Sequence, residues 1–488
     1  MSASFGVYFS HIRHNIQNNR ANRTRIHRFL NEPDAKVKAL WDLSQGGEWP
    51  ESVAEFKELR DKITRRLRGN WYRLRLISFR CTRPMTSSIS FRERIALYAL
   101  LTSLTSVSID ALLPGLRQIG EDVGVAPPLS TQHIISLFIF GMAFGELLLG
   151  PLSDAMGRKK ALVLGLGVYA VGTITAMLAG SLEMVILGRF LQGVGVSGPK
   201  IATRAMIRDQ FEGDAMARVM SFMFTLFILV PMLAPALAQG LISFAGWRSV
   251  FGVYLVMTVF LGLWLVMRQP ETLPADKRIS FRPKLLFRNG WRILSKRRVA
   301  LLIIATGIVF GAQLLYLSTA ADLFFDAYGI KETFPLYFAV LATGIGLASF
   351  LNAKLVQRFG MDTMARAAFM GLASVGLLML LASALWGGRL PLVALMMFGF
   401  SAFFAIGVLF GNLNAMAMRS LGQVAGLGAS LIASGSSLIA TLFAIGIGSF
   451  YDGTTMNLAV GFFIAGVSSL TLAELAVQGD TSPVEAAR

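Results

Sequence analysis

The sequence contains few cysteines, histidines and charged residues. It has one cysteine, Cys81, and four histidines among 488 residues. A single cysteine excludes an intrachain disulfide and a metal cage built from several cysteines. Charged residues make up 15% of the chain, whereas soluble domains carry about 25%. Hydrophobic residues make up 54%, and the mean hydropathy is +0.59. This composition predicts an all-α integral membrane protein.

The positive charge of the chain lies in two segments beside hydrophobic blocks. The formal net charge is +18. Residues 1–92 carry 18 Lys and Arg against 8 Asp and Glu, and residues 268–298 carry 10 against 2. A soluble protein with such a charge would be a candidate for nucleic-acid binding. Here the location predicts contact with the anionic lipids of a cytoplasmic leaflet, and no nucleic-acid partner.

Residues 1–92 are predicted to form a basic cytoplasmic tail. Apolar residues recur at three- and four-residue spacing between Glu51 and Arg68, which indicates an amphipathic helix. Two interpretations stay open for this region, a helix on the membrane surface and a poorly ordered tail. Met85 is a further candidate for the true start, and a truncation that begins there is expected to retain activity.

Beyond residue 93, apolar stretches alternate with short polar breaks. Each stretch is long enough to cross a hydrocarbon core of about 30 Å. They predict twelve spans, near residues 95–115, 131–150, 160–180, 183–203, 219–241, 249–268, 299–320, 334–353, 363–386, 391–416, 424–449 and 455–476. The predicted parts are two six-helix bundles, a basic linker between them and a C-terminal tail, at residues 93–268, 299–476, 269–298 and 477–488 respectively.

Alternate breaks between the spans are rich in Lys and Arg. They include Arg158-Lys159-Lys160 and the segment from Arg204 to Arg218. Because positive loops stay in the cytoplasm, both termini are predicted to be cytoplasmic in a multi-pass inner-membrane protein. Leu152–Gly157 has a weaker copy at Leu355–Gly360, 203 residues later, in the corresponding break of the second bundle. This repeat predicts two pseudo-symmetric halves with a substrate site between them.

Three ionisable residues fall inside the predicted spans of the first half: Asp110, Glu146 and Arg189. Placing an ionised side chain at the centre of a membrane helix costs about 2.5–3.5 kcal/mol. Such residues therefore usually pair with one another or mark an ion path. Asp110 is interpreted as a protonatable group facing a central cavity, with an acid near the outer interface as the alternative. Glu146 is equally consistent with an interfacial acid and with a second titrating site. Arg189 keeps its proton, so it is expected to stabilise a nearby negative charge or to hold an anion.

The predicted fifth span contains Pro231 and Pro235. Proline inside a helix kinks it and frees backbone carbonyl groups. The alternatives are an ordinary kinked membrane helix and an element that flexes during transport. The sequence shows no metal-ligand cluster, no nucleophile paired with a base and no GxxxxGK[ST] phosphate loop. It therefore predicts neither an enzyme nor an ATP-driven pump, and no cofactor.

The stretch Gly150 to Lys160, with the sequence GPLSDAMGRKK, is similar to the loop 2–3 signature of the major facilitator superfamily. Arg189 with Gln192 and Gly193 resembles the span 4 motif of that family. Residues 234–238, APALA, resemble the drug–proton antiporter motif of span 5, with alanines where that motif has glycines. Asp110 with Leu113-Pro114, residues 246–251 (GWRSVF), Asn414-Ala415 and Ala425-Gly426 resemble the bicyclomycin-resistance (Bcr/CflA) drug-efflux subfamily. That subfamily commonly has glutamine where Glu146 stands.

The resemblance implies a monomeric exporter of small hydrophobic drugs that is driven by protons re-entering the cell. It implies that drug and proton compete for Asp110, that Arg189 tunes this acid, and that a conformational latch closes the cytoplasmic side. The latch residues would be Gly150, Asp154, Gly157 and Arg158. The alternatives are a proton-coupled transporter of a sugar or amino acid in the same superfamily and a non-transporting membrane sensor.

Overall fold

The computed structural model describes residues 89–478, apart from 212, 280 and 420–424. The predicted N-terminal tail up to residue 88 and the end of the C-terminal tail lie outside the described residues. Within the described range the chain is helical and contains no strand. The longer helices are α1 (Phe91–Asp110), α2 (Leu116–Val123), α3 (Gln132–Met156), α4 (Arg158–Met177), α5 (Leu182–Gln210), α6 (Gly213–Ala245), α7 (Arg248–Arg268), α8 (Pro283–Leu294), α9 (Arg297–Tyr328), α10 (Phe334–Phe359), α11 (Met361–Leu385), α12 (Leu392–Met418), α13 (Ala425–Gly448) and α14 (Met456–Gln478).

Ten helical segments of the described residues are long and apolar enough to cross a membrane. They are α1 together with α2, then α3, α4, α7 and the six helices from α9 to α14. The predicted fourth and fifth spans coincide with α5 and α6. Helix α5 has 29 residues but also carries Arg189, Lys200 and Arg204. Helix α6 has 33 residues and includes the apolar segment Leu229–Ala245. The number twelve therefore stays a prediction.

Helix α5 packs against α3 and α4 backbone to backbone. A Cβ atom on Gly193 would collide with the carbonyl oxygen of Phe138 in α3. A Cβ atom on Gly195, on the opposite side of α5, would collide with the backbone nitrogen of Tyr169 in α4. Small residues permit such close approach, which replaces the missing hydrophobic driving force between helices in lipid. This packing holds α5 at the centre of the first bundle.

Two glycines make the same turn in the two copies of the repeat. Gly157 follows α3 with φ 104° and Gly360 follows α10 with φ 78°. The next helix begins at the following residue in both cases. Positive φ angles are favourable for glycine because it lacks a Cβ atom. The predicted repeat thus marks two equivalent helix–turn–helix junctions.

Helix α1 is interrupted at Asp110. A short 3₁₀ segment, Leu113–Gly115, separates it from α2. Pro114 has no N–H group, so it cannot donate to the carbonyl of Asp110 four residues earlier. The interruption places polar backbone groups inside the segment Phe91–Val123, which is long and apolar enough to cross a membrane.

Helices α3 and α13 join the two halves along their length. A Cβ atom on Gly150 would collide with the Ser430 hydroxyl, and Thr441 Oγ1 donates to the carbonyl of Ser136 at 3.4 Å. A Cβ atom on Gly448 would lie 2.9 Å from Gln132 Oε1, at the other end of the helix pair.

Candidate functional site

Arg189 is fully buried and binds neutral groups. Its Nε donates to the carbonyl of Ile134 at 3.2 Å, and its Nη2 donates to the carbonyl of Ser108 at 2.9 Å. Its Nη1 donates to Gln192 Oε1 at 2.8 Å, and its Cζ lies 4.2 Å from the ring centroid of Phe138. Ser108 belongs to the last turn of α1, where the helix dipole is negative, so the guanidinium stabilises this helix end.

Besides its bond to Ile134 of α3, Arg189 is linked by a hydrogen-bonded network to helices α1, α4 and α7. Gln192 Nε2 donates to Thr173 Oγ1 in α4 at 2.8 Å. The hydroxyl groups of Tyr169 and Ser108 are 2.6 Å apart. The Tyr254 hydroxyl in α7 donates to the carbonyl of Val107 at 3.1 Å. Sequence analysis found Arg189 and Gln192 but missed Tyr169, Thr173 and Tyr254. Their signal is a polar atom within an apolar span, which is weak for tyrosine and threonine.

Asp110 lies at the interruption of α1, two residues after Ser108. It is 6% exposed. Within the residues that the structure describes, its carboxyl group makes no hydrogen bond and no ion pair. Arg189 contacts the nearby backbone of α1 rather than this carboxyl group. A buried carboxylate is costly unless a proton or a cation neutralises it, so Asp110 is suited to bind either.

Glu146 in α3 is fully buried and forms an ion pair. The Nζ of Lys200 in α5 lies 2.5 Å from Glu146 Oε1. The Ser437 hydroxyl of α13 donates to Glu146 Oε2 at 3.3 Å. Arg204, one turn beyond Lys200, interacts electrostatically with Glu146 and is exposed. Sequence analysis missed Lys200 and Ser437 and placed Arg204 in a break between spans, whereas Arg204 lies within α5. The i,i+4 spacing of the two cations could have indicated a charged helix face.

Arg158, at the start of α4, pairs with Asp154 of the predicted latch and with residues outside it. Its guanidinium forms an ion pair with Asp154 and another with Asp209 at 3.2 Å, and donates to Ser153 at 2.8 Å. Glu271 of the connector accepts from the backbone N–H of Arg158 at 2.9 Å. These partners lie in the first half and the connector. Contact with the second half from this loop region comes from Gly150 against Ser430.

The remaining predicted site residues lie on helices already described. Pro231 and Pro235 are inside α6, and Pro235 is buried. Gly193 provides the close contact between α5 and α3. A cavity of about 330 Å³ opens between the start of α3 and the end of α13, and its lining includes Gln132, His133 and Tyr451. In the described part of the chain, no group of three acidic, His or Cys residues could hold a metal ion.

Comparison with known proteins shows the family. The profile of the Major Facilitator Superfamily matches residues 98–448. The chain therefore belongs to the Major Facilitator Superfamily. It is a multi-pass membrane transporter with the all-helical fold of that family, and transport rather than enzymatic catalysis is the activity of the class.

Several relatives are named for drug resistance. The chain is 30% identical over 348 residues to a bicyclomycin resistance protein homolog of Haemophilus influenzae, covering 69% of this chain and 83% of the relative. It is 28% identical over 371 residues to the multidrug resistance protein MdtL of Klebsiella pneumoniae, covering 75% and 90%. These similarities confirm the resemblance to multidrug-efflux members of the superfamily.

Solved structures share the fold. The xylose transporter XylE of Escherichia coli superimposes with a TM-score of 0.60 at 13% identity, covering 80% of this chain and 97% of XylE. The human organic anion transporter MFSD10 gives 0.57 at 18% identity, covering 78% and 98%. At these identities the likeness concerns the fold alone.

Proposed function

We propose that this protein is a proton-coupled multidrug exporter of the cytoplasmic membrane that works by alternating access. The observation that carries the proposal is the buried carboxyl group of Asp110 at the interruption of α1, beside the network of Arg189. Among the described residues it has no hydrogen-bond or ion-pair partner. A carboxyl group in this setting must exchange a proton for another neutralising group. The drug-like substrate is supported by the relatives that are named for bicyclomycin and multidrug resistance.

In the proposed cycle, a drug entering from the cytoplasm favours loss of the proton from Asp110. The protein then turns outward, releases the drug and takes up a proton from outside. Arg189 holds the end of α1 in position through Ser108. Gain or loss of the proton on Asp110 therefore changes the charge at a fixed point of the helix interruption. Protons driven by the proton motive force supply the energy, and no cofactor takes part.

Further features of the proposal come from the sequence. The two bundles at residues 93–268 and 299–476 would provide twelve spans with both termini in the cytoplasm. The latch residues around Arg158 would stabilise one closed state, and Pro231 and Pro235 would let α6 flex. The basic segments 1–92 and 269–298 would contact anionic lipid, and the protein would act as a monomer. For Glu146 the sequence leaves two roles open, an interfacial acid and a second proton-coupling acid.

The test is dye efflux in inside-out vesicles that are energised with a pH gradient. We expect accumulation of the dye inside the vesicles, and its loss when an uncoupler is added. Asp110→Asn should abolish gradient-driven accumulation because the amide cannot exchange a proton. Asp276→Asn, an exposed acid of the connector, is the matched control. Accumulation that survives the uncoupler, or a fully active Asp110→Asn variant, would overturn the proposal.

A further inference from the structure

The pair of Glu146 and Lys200 is the feature that the predicted transport cycle leaves unexplained. Glu146 is fully buried, and the Lys200 side chain is 21% exposed. Both residues belong to the first half, on α3 and α5. The Ser437 hydroxyl reaches Glu146 from the second half at 3.3 Å. The acid therefore lies on the surface along which the two halves must move.

The surroundings of Glu146 are cationic or neutral. Helix α5 contributes Lys200 and Arg204. The sequence of α13 contains no charged residue. The charged residues of α4 and α9 lie at the helix ends, and Arg158 of α4 is engaged with Asp154 and Asp209. In the described structure, Lys200 is the cation in direct contact with this carboxylate.

We propose that Lys200 is a built-in counter-ion that keeps Glu146 ionised without a proton, so that Asp110 alone exchanges protons. The inference rests on the proposed proton-coupled function and assigns its stoichiometry, one proton for each cycle. An ammonium group at 2.5 Å neutralises the carboxylate and removes the need for a proton in a buried position. Arg204 adds positive potential from one turn further along α5.

The pair also makes the interface electrically neutral. When α3 and α13 separate, a lone carboxylate or a lone ammonium would have to move with its full desolvation cost. A closed ion pair moves as a neutral unit, and Ser437 exchanges its hydrogen bond for one with water. Lys200 is thus a positioning residue, since it acts through Glu146.

The first experiment measures the number of protons exchanged per dye molecule, from the pH gradient that balances a known dye gradient in vesicles. The variants are Glu146→Gln, Lys200→Gln and the double variant, with Lys354→Gln, an exposed lysine of the second half, as the control. We expect a ratio of one in the wild type and in the double variant. A ratio of two in the wild type, or a lower ratio in the double variant, would overturn the inference.

The second experiment compares transport rates across pH. Each single variant leaves one buried charge without its partner, so we expect about a tenfold loss at neutral pH, while the double variant recovers to within about threefold of the wild type. In Lys200→Gln a proton can replace the lysine. Its rate relative to the wild type should therefore rise as the pH falls, whereas the relative rate of Glu146→Gln should not. A double variant as impaired as Glu146→Gln would show that the carboxyl group itself carries protons.

The two proposals can fail separately. If wild-type vesicles show no uncoupler-sensitive accumulation, the proposed function fails. The counter-ion role is then judged from the melting temperature of the detergent-solubilised protein. We expect a lowered value in Lys200→Gln that recovers at acidic pH and in the double variant. A melting temperature of Lys200→Gln that is equally low at all pH values would contradict the inference.

Discussion

Each half of the molecule has an ion pair at the same helix junction, but the acidic and basic positions are exchanged between the halves. In the first half Arg158, at the start of α4, pairs with Asp209, in the last turn of α5. In the second half Asp362, at the start of α11, pairs with Arg419, directly after α12, at 3.3 Å. The Arg158 side chain is 7% exposed, whereas those of Arg419 and Asp362 are 53% and 52% exposed. The arginine of the first junction is thus buried, whereas both charged side chains of the second junction are exposed.

The same difference extends to the interior. Among the described residues, the buried charged side chains are Asp110, Glu146, Arg158 and Arg189, all in the first half. The buried polar side chains of the second half are those of Ser, Thr and Asn. Charge burial is costly unless it has a use or a partner. The comparison indicates that the buried charges of the described structure are concentrated in the first half, whereas the buried polar groups of the second half are neutral.

The largest effect should follow from Arg189→Lys. A lysine cannot reproduce the separate bonds from Nε and the two Nη atoms to Ile134, Gln192 and Ser108. Losing two charge-assisted bonds costs about 3–6 kcal/mol. Dye transport should fall by about a hundredfold and the melting temperature should drop. Wild-type transport by this variant would contradict the role of the network and weaken the contrast between the halves.

Gly193→Ala should give the next largest effect. The new Cβ atom would collide with the carbonyl oxygen of Phe138, and backbone cannot rotate away, so α3 and α5 must separate. Overpacking of this kind costs about 1–3 kcal/mol. Gly371→Ala in α11 is the matched control, because a Cβ atom there meets nothing within 4 Å. Thermal unfolding in detergent gives the melting temperatures of the two variants. Equal values would contradict the close contact between α3 and α5.

The two junctions can be compared directly with Arg158→Gln and Asp362→Asn. Removing Arg158 leaves Asp154 and Asp209 without their shared cation, which should cost about 1–3 kcal/mol. The exposed pair of Asp362 and Arg419 should contribute less than about 1 kcal/mol. Chemical denaturation of the two variants checks the order. A larger loss of stability for Asp362→Asn than for Arg158→Gln would contradict the expectation that the buried junction contributes more.

The smallest effect concerns the ion pair between the halves at the predicted outer end. Arg117 Nη1 lies 3.1 Å from Asp326 Oδ1, and both side chains are more than a third exposed. Arg117→Gln should lower stability by less than about 1 kcal/mol. Because salt screens exposed charges, the difference from the wild type should shrink at high ionic strength. A salt-independent difference would indicate that the Phe325 ring beneath Arg117, rather than the charge pair, carries the contact.

Much of the fold could be predicted from local sequence features. The predicted span 363–386 coincides with α11 (Met361–Leu385), and span 131–150 lies within α3 (Gln132–Met156) apart from its first residue. Helix α9 runs to Tyr328, beyond the predicted end at residue 320. Asp322 and Asp326 lowered the hydropathy there, although Asp326 is paired with Arg117 in the folded protein. Local hydropathy does not contain such distant partners.

The candidate site was predictable as a set of residues but not as a set of contacts. Asp110, Glu146 and Arg189 stand out because charges are rare in apolar spans. Their partners do not. Lys200 is 54 residues from Glu146, and Ser437 is 291 residues from it. Which faces meet depends on how each helix is rotated within the bundle.

The sequence by itself predicted a membrane protein with a repeated helix–turn–helix junction, since span length, loop charge and turn glycines are local properties. Its motifs carried the resemblance to a transporter superfamily. The tertiary structure decided which charges are neutralised. It placed Lys200 against Glu146 and the carbonyl groups of Ser108 and Ile134 against Arg189. It left Asp110 without a partner among the described residues. Close packing of α5 through its glycines produces this arrangement, because it fixes which side chains can reach one another.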